Sequence, residues 1–221
     1  MRTIALFLLF GAGIASAQVT KNLGDFDQLK VFDQIQVTLV HSDENKIELR
    51  GQHSGDVEFV TKNNQLKIRM PINRTLDGES VKATLYFKSL NDVDASEGAL
   101  VTTSETIKTR KMTVTAKEGA QIELNLDVDN VDVKSVTGAN ITLAGNANTI
   151  DIKVGTGGIV DAKSLTARDA DVNINAGGEV DVNATDEVDA DVKAGGNIRI
   201  YGNPSSVNKK TTLGGTIEVK K

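Results

Sequence analysis

Four aspartates recur at nearly equal intervals: Asp132, Asp151, Asp171 and Asp189, separated by 19, 20 and 18 residues. Asp191 follows two positions after the last of them, and Lys134 and Lys153 stand two positions after the first two. Carboxylates gathered in this way can do two kinds of chemistry. Asp171, Asp189 and Asp191 are candidate Ca²⁺ ligands, weak ones, because this cation takes several carboxylate oxygens and neither Asp171 nor Asp189 has a lysine two positions on. Alternatively, Asp151 and Asp171 with Lys153 imitate the carboxylate pair and basic residue of a polysaccharide lyase or hydrolase. A third reading involves no chemistry: outward acids simply keep a surface solvated. Stacked about 5 Å apart, such carboxylates repel by about 1 kcal/mol per pair in water, so something must offset them.

Composition narrows the choice. The chain has 221 residues, no Cys, 2 His, no Trp and a formal net charge of -5. Zero Cys removes a thiol nucleophile, disulfides and Cys-based metal sites. The acidic balance argues against a nucleic-acid binder, which presents a basic face. The two histidines, His41 and His53, lie in polar stretches and read as surface loop residues. No cofactor is implied beyond the weak Ca²⁺ candidate. Only 4% of residues are aromatic while 20 are Gly, which points to a thin core of Val, Ile, Leu and Ala.

The elements that must position the acids are visible as an internal repeat. Gly-small pairs begin at Gly98, Gly119, Gly138, Gly157, Gly177, Gly195 and Gly214, with intervals of 21, 19, 19, 20, 18 and 19 residues. Three positions after each first glycine stands Val101, Ile122, Ile141, Val160, Val180, Ile198 or Ile217. Five positions before the middle glycines stand Val114, Val133, Ile152, Val172 and Ala190, with the aspartates at the intervening outward position. Each unit reads as strand, glycine turn, strand and short polar turn, apolar on one face by its period of two. One unit cannot bury its apolar face, but stacked units can. The expected fold is an all-β, single-stranded, right-handed parallel β-helix with about 19–20 residues per coil. An antiparallel meander is the rival, disfavoured because the same residue types return in register. The strands from Phe26 to Phe87 carry most of the aromatics and alternate less regularly. Residues 18–97 therefore read as irregular N-terminal coils that can serve as a cap, and 98–221 as the regular repeats.

Met1-Arg2-Thr3, the apolar run Ile4 to Ile14 and Ala15-Ser16-Ala17 have the layout of a secretory signal peptide over residues 1–17. The run is shorter than the ~20 residues a membrane span needs. No Cys follows the cleavage site, which excludes a lipoprotein anchor. The expected location is exported: periplasm, outer cell surface or secreted. Charge is uneven along the chain. Residues 127–191 hold 13 acidic and 4 basic side chains, whereas residues 192–221 hold 6 basic and 1 acidic. Lys209, Lys210, Lys220 and Lys221 suit protection of an open strand edge, or contact with an acidic partner.

Three features together resemble a known family. They are Phe26-x-x-Leu29-x-Val31 with Ile35-x-Val37, the Gly-small repeats from Gly98, and the closing Gly195-Gly196-x-Ile198-x-Ile200-Tyr201-Gly202-Asn203-Pro204. This is the pattern of the auto-transporter adhesin head GIN domain of exported Bacteroidota proteins, and it covers roughly Phe26 to Val219. Gly119-Ala120-Gln121 and Gly138-Ala139-Asn140 depart from the family's frequent Gly-small-Gly. The resemblance implies a β-helical envelope protein and brings no catalytic residues with it. The reading is therefore a non-catalytic envelope or secreted protein that binds a host or envelope glycan or protein, or plays a structural role, through its repetitive surface. A polysaccharide-active enzyme and a self-assembling homo-oligomeric subunit are the alternatives. The short repeat turns leave no long loops from which to build a cleft.

Overall fold

The computed structural model describes residues 19–220, so the segment read as a signal peptide lies outside the described residues. The chain is all-β, 68% strand, and forms a β-solenoid of about 7 turns. Its first strands are β1 (Val19–Asn22), β2 (Gln28–Val31), β3 (Gln36–His41), β4 (Lys46–Arg50), β5 (Glu58–Lys62), β6 (Gln65–Arg69), β7 (Lys82–Phe87) and β8 (Asp92–Ala95). Five long strands follow: β9 (Leu100–Ala116), β10 (Gln121–Val136), β11 (Asn140–Gly155), β12 (Ile159–Ile174) and β13 (Glu179–Ala194). The stack closes with β14 (Asn197–Tyr201), β15 (Ser206–Leu213) and β16 (Thr216–Val219).

Each long strand is one coil with a corner in it. In β10, inward and outward residues alternate until Asp129 and Asn130, which are both exposed, and then alternate again from buried Val131. That one-residue slip bends the strand so that both halves face the same interior. Neighbouring coils pair in parallel, Ile122 with Ile141, Ile141 with Val160, Val160 with Val180 and Val180 with Ile198. These five side chains are at most 1% exposed. The second half-coil carries a matching buried row, Val114, Val133, Ile152, Val172 and Ala190. Unequal intervals between the glycines do not break these rows, because register shifts along the strands, such as those after Glu123 and Thr142, absorb the extra or missing residues.

Coils join at tight glycine turns. Gly98, Gly119, Gly138, Gly157, Gly177, Gly195 and Gly214 all have positive φ, from 61° to 75°. In the first four turns the preceding residue (Glu97, Glu118, Thr137 or Thr156) is also left-handed. Two consecutive left-handed residues, closed by a bond such as Ala120 N–H to Lys117 O at 3.0 Å, make a type I′ turn. Gly177, Gly195 and Gly214 use a different solution, in which the second glycine of the pair carries the second positive φ. This accounts for three of the four Gly-Gly pairs: Ala99, Ala120 and Ala139 are buried and have no positive φ, whereas Gly178, Gly196 and Gly215 do; Gly158 has none either, and there a Cβ would fall 2.5 Å from the backbone oxygen of Ser135.

The first coils are not stacked in chain order. β2 lies between β6 and β8, and β3 lies between β7 and β9. The coil made first thus sits inside the stack, with the coil made from β6 and β7 on its outer side. The antiparallel strands β4 on β7, β1 on β4 and β5 on β6 cover that end. Phe26 and Phe87 are buried among these coils, where the section is irregular enough to take rings.

Candidate functional site

The second half-coils of β10 to β13 present a flat outer face. Because the strands are parallel and in register, every outward residue stands beside its counterparts on the coils above and below. The central row runs Asp92, Thr113, Asp132, Asp151, Asp171, Asp189 and Asn208. On one side of it lie Asn130, Thr149, Asp169 and Glu187; on the other lie Lys134, Lys153, Asn173, Asp191 and Lys210. The four-aspartate row expected from the sequence is therefore formed.

The charges of this face are neutralised unevenly. Lys111 Nζ lies 2.7 Å from Asp132 Oδ2, and Lys153 Nζ lies 3.0 Å from Asp151 Oδ2. Toward the last coils the partners become amides: Asn173 Nδ2 donates to Asp171 Oδ1, and Asn208 Nδ2 donates to Asp189 Oδ1 at 2.8 Å. Asp191 keeps one cation, Lys210, at 3.9 Å. Glu187 has no ion-pair partner among the described residues. The Oδ1 atoms of Asp151 and Asp191 are buried with no hydrogen-bond partner among the described residues. Partial burial, reinforced by the charges of Asp151 and Asp189, raises the Asp171 carboxyl above the usual aspartate value, with Lys153 and Asn173 pulling the other way. The lysine opposite feels the same field, and Lys153 is held above its ordinary value by Asp151.

Asp171, Asp189 and Asp191 share one shallow groove of about 290 Å³ with Asn173, Asn208, Lys209 and Lys210. A second groove of about 230 Å³ lies next to it, lined by Asp151, Asp169, Asp171, Glu187 and Asp189. The three candidate ligands are thus neighbours on two adjacent rows. Among the described residues no three His, Cys, Asp or Glu side chains form a cluster able to hold a metal ion. Asp151, Lys153 and Asp171, the triplet that imitates a polysaccharide-active site, stand on this same open sheet face. His53 contacts Arg74 Nη1 at 2.8 Å and Asp56 at 3.4 Å, and His41 meets Phe87 edge-on.

Two charged arrangements escaped the sequence reading. Asp94, 7% exposed, lies between Lys30 at 3.1 Å and Lys117 at 2.9 Å. Asp33, 4% exposed, accepts the backbone N–H of Met70 at 2.9 Å and of Leu76 at 3.0 Å. It thereby fixes the loop after β6. Nearby Glu97 is raised above its ordinary value by burial and then by the charge of Asp33. Both clusters join residues from different coils, so no spacing along the chain announces them.

The whole fold recurs in solved structures. A putative adhesin from Bacteroides fragilis NCTC 9343 superposes with a TM-score of 0.86 at 18% identity, over 94% of this chain and 98% of that one. A putative adhesin from Parabacteroides merdae ATCC 43184 gives 0.75 at 20% identity, over 95% and 98%. A putative lipid binding protein from Parabacteroides distasonis ATCC 8503 gives 0.73 at 19%, again over 95% and 98%. At these identities the likeness is one of fold. No curated protein matches the chain in sequence. The family model described as "Putative auto-transporter adhesin, head GIN domain" matches residues 25–204, from the loop between β1 and β2 to Pro204 just past β14, and the chain belongs to that family.

Proposed function

We propose that the protein is an exported, non-catalytic binding protein of the cell envelope or its surroundings, and that it engages its partner through the acidic sheet face of β10 to β13. The observation that carries this reading is the run of outward acids Asp151, Asp171, Asp189 and Glu187, kept in register on a rigid parallel sheet. An extended ligand, a glycan or a protein segment, laid across several coils would meet the same groups at each step of about 4.8 Å. The adhesin description of the family and the apolar N-terminal segment support an exported binding role. The triplet of Asp151, Lys153 and Asp171 serves this reading as a binding surface: Lys153 is already engaged by its own strand neighbour Asp151, and the face is open rather than a cleft that could exclude water. Weak Ca²⁺ binding at Asp171, Asp189 and Asp191 belongs to the same proposal, as loose contacts spread over two rows and not as a metal cage.

The test is a screen of the purified protein on arrays of host and bacterial glycans and of matrix proteins. The Asp151→Asn, Asp171→Asn, Asp189→Asn triple variant runs alongside as the control. Binding by the wild type that is lost in the folded triple variant supports the proposal. Equal binding by both proteins overturns the assignment to this face.

A further inference from the structure

Along the second half-coil the inward row reads Leu66, Leu29, Val93, Val114, Val133, Ile152, Val172, Ala190 and then Lys209. Every member before Lys209 is a buried apolar residue. Its neighbours in β15 confirm the orientation. Val207 packs against the core, while Asn208 and Lys210 point outward to Asp189 and Asp191. Lys209 therefore occupies the inward register of the row while remaining exposed at its open end. Its ammonium crosses the last coil and donates to the carbonyl of Ile217 in β16 at 3.3 Å, tying the two half-coils together over the end of the apolar column. Around it the coil leaves Leu213 75% and Val219 41% exposed.

We infer that Lys209 is a built-in stop that prevents a second copy of the chain from stacking on this end of the solenoid. A free strand edge offers unpaired backbone groups to another strand, and an inward-pointing charge on that edge is one way to deny the pairing. Docking two such ends would bring two ammonium groups together against Leu213 and Val219, while Glu218, the carboxylate whose field reaches Lys209, is already engaged by Lys220. The row also fixes the form of assembly that removal of the charge permits. The opposite end carries the antiparallel strands β1, β4 and β5 in place of a parallel coil, so a head-to-tail contact would not continue the parallel inward row. The remaining contact is end-to-end and self-complementary, which gives a closed two-fold dimer.

The experiment compares wild type, Lys209→Val and Lys210→Val by light scattering over a wide concentration range, with circular dichroism on each. Lys209→Val continues the apolar row and is expected to double the measured mass with the β signal intact. Lys210→Val removes an outward charge from the same strand and is expected to keep the wild-type mass. The inference is overturned if Lys209→Val stays at the wild-type mass, or if the wild type is already dimeric at low concentration. It is equally overturned if Lys210→Val dimerises too, because general charge loss would then be the cause. Loss of the β signal in Lys209→Val would mean that the lysine is required for folding rather than for stopping assembly, and also overturns it.

Discussion

Replacing Asp171 by Asn removes one carboxylate from the middle of a row whose neighbours on either side, Asp151 and Asp189, are carboxylates too. Adjacent strands are about 4.8 Å apart, and unit charges at that distance in water repel by roughly 1 kcal/mol. Carboxylates two coils away lie beyond the screening length of about 8 Å and add little. The contribution of Asp151 is reduced because Lys153 sits 3.0 Å from it. Asn173 can still donate to the new amide oxygen, so no hydrogen bond need be lost. The net expectation is that Asp171→Asn stabilises the fold by about 1 kcal/mol at pH 7 and low salt, or roughly 2–4 °C in Tm for a chain of this size. The sign with pH follows from the raised carboxyl. A folded-state pKa above the unfolded one means that the folded state holds this proton more tightly. Wild type thus gains stability as pH falls from 7 through the folded-state value, until the unfolded aspartate is protonated as well, near pH 4. The variant lacks that gain, so its advantage shrinks as pH falls. Paired urea titrations at pH 7, 6, 5 and 4 give the difference curve, in which the other carboxylates cancel. No advantage at pH 7, or an advantage unchanged down to pH 4, would refute the reasoning.

Three further outcomes are expected. Asp33→Ala leaves the buried N–H of Met70 and the part-buried N–H of Leu76 without their acceptor; urea unfolding should show a loss of about 2 kcal/mol. Gly157→Ala and Gly158→Ala should differ. Gly157 has φ of +73° but open space at its missing Cβ, so alanine costs about 1 kcal/mol by conformation. A Cβ on Gly158 would fall 2.5 Å from the backbone oxygen of Ser135, a clash no side-chain rotation relieves, so alanine there should cost more, about 2–3 kcal/mol in the same assay. Calorimetric titration with Ca²⁺ should give a dissociation constant no tighter than about 10⁻⁴ M, because Asp171, Asp189 and Asp191 are spread along two rows and partly engaged by Asn173, Asn208 and Lys210. A micromolar constant would show a cage where the rows predict none.

The regular coils were legible because their information is local. Period-two alternation puts Ile122, Ile141 and Val160 inside, and the glycine intervals give the coil length, so the buried rows and the aspartate row follow from counting. The order of the first coils was not legible. Leu29 pairs with both Leu66 and Val93, yet alternation shows only that each is inward, not which strand lies next to which. Asp94 and Asp33 were missed for the same reason. Lys30 is 64 residues from Asp94, and Met70 is 37 from Asp33; only the stacking brings them together. Lys209 lies between these cases, since its inward position could be counted from Val172 and Ala190, but its bond to Ile217 needed the closed coil.

Solved proteins with this fold are described both as adhesins and as a lipid binding protein, so the fold leaves the choice of partner to the surface residues. Several acids elsewhere on this chain are matched with cations. Asp94 has two lysines, Arg199 lies against Glu179 and Asp181, and Arg168 lies against Asp186. The same matching was open to the face, where Asp151 and Lys153 show it can be made within one strand. Yet Asp171 and Asp189 are matched only by amides, and Glu187 stands beside Asp189 two positions earlier in β13. An amide satisfies a carboxylate's hydrogen bond without cancelling its charge. It therefore fixes the position of the acid while leaving its field free to act on something outside the protein. A face that needed only solubility would gain nothing from held carboxylates, whereas a binding face gains rigid, charged groups whose side-chain entropy is already lost before the partner arrives. On that difference rests the proposal that a partner docks on the acids of β12 and β13 rather than at the paired charges elsewhere on the molecule.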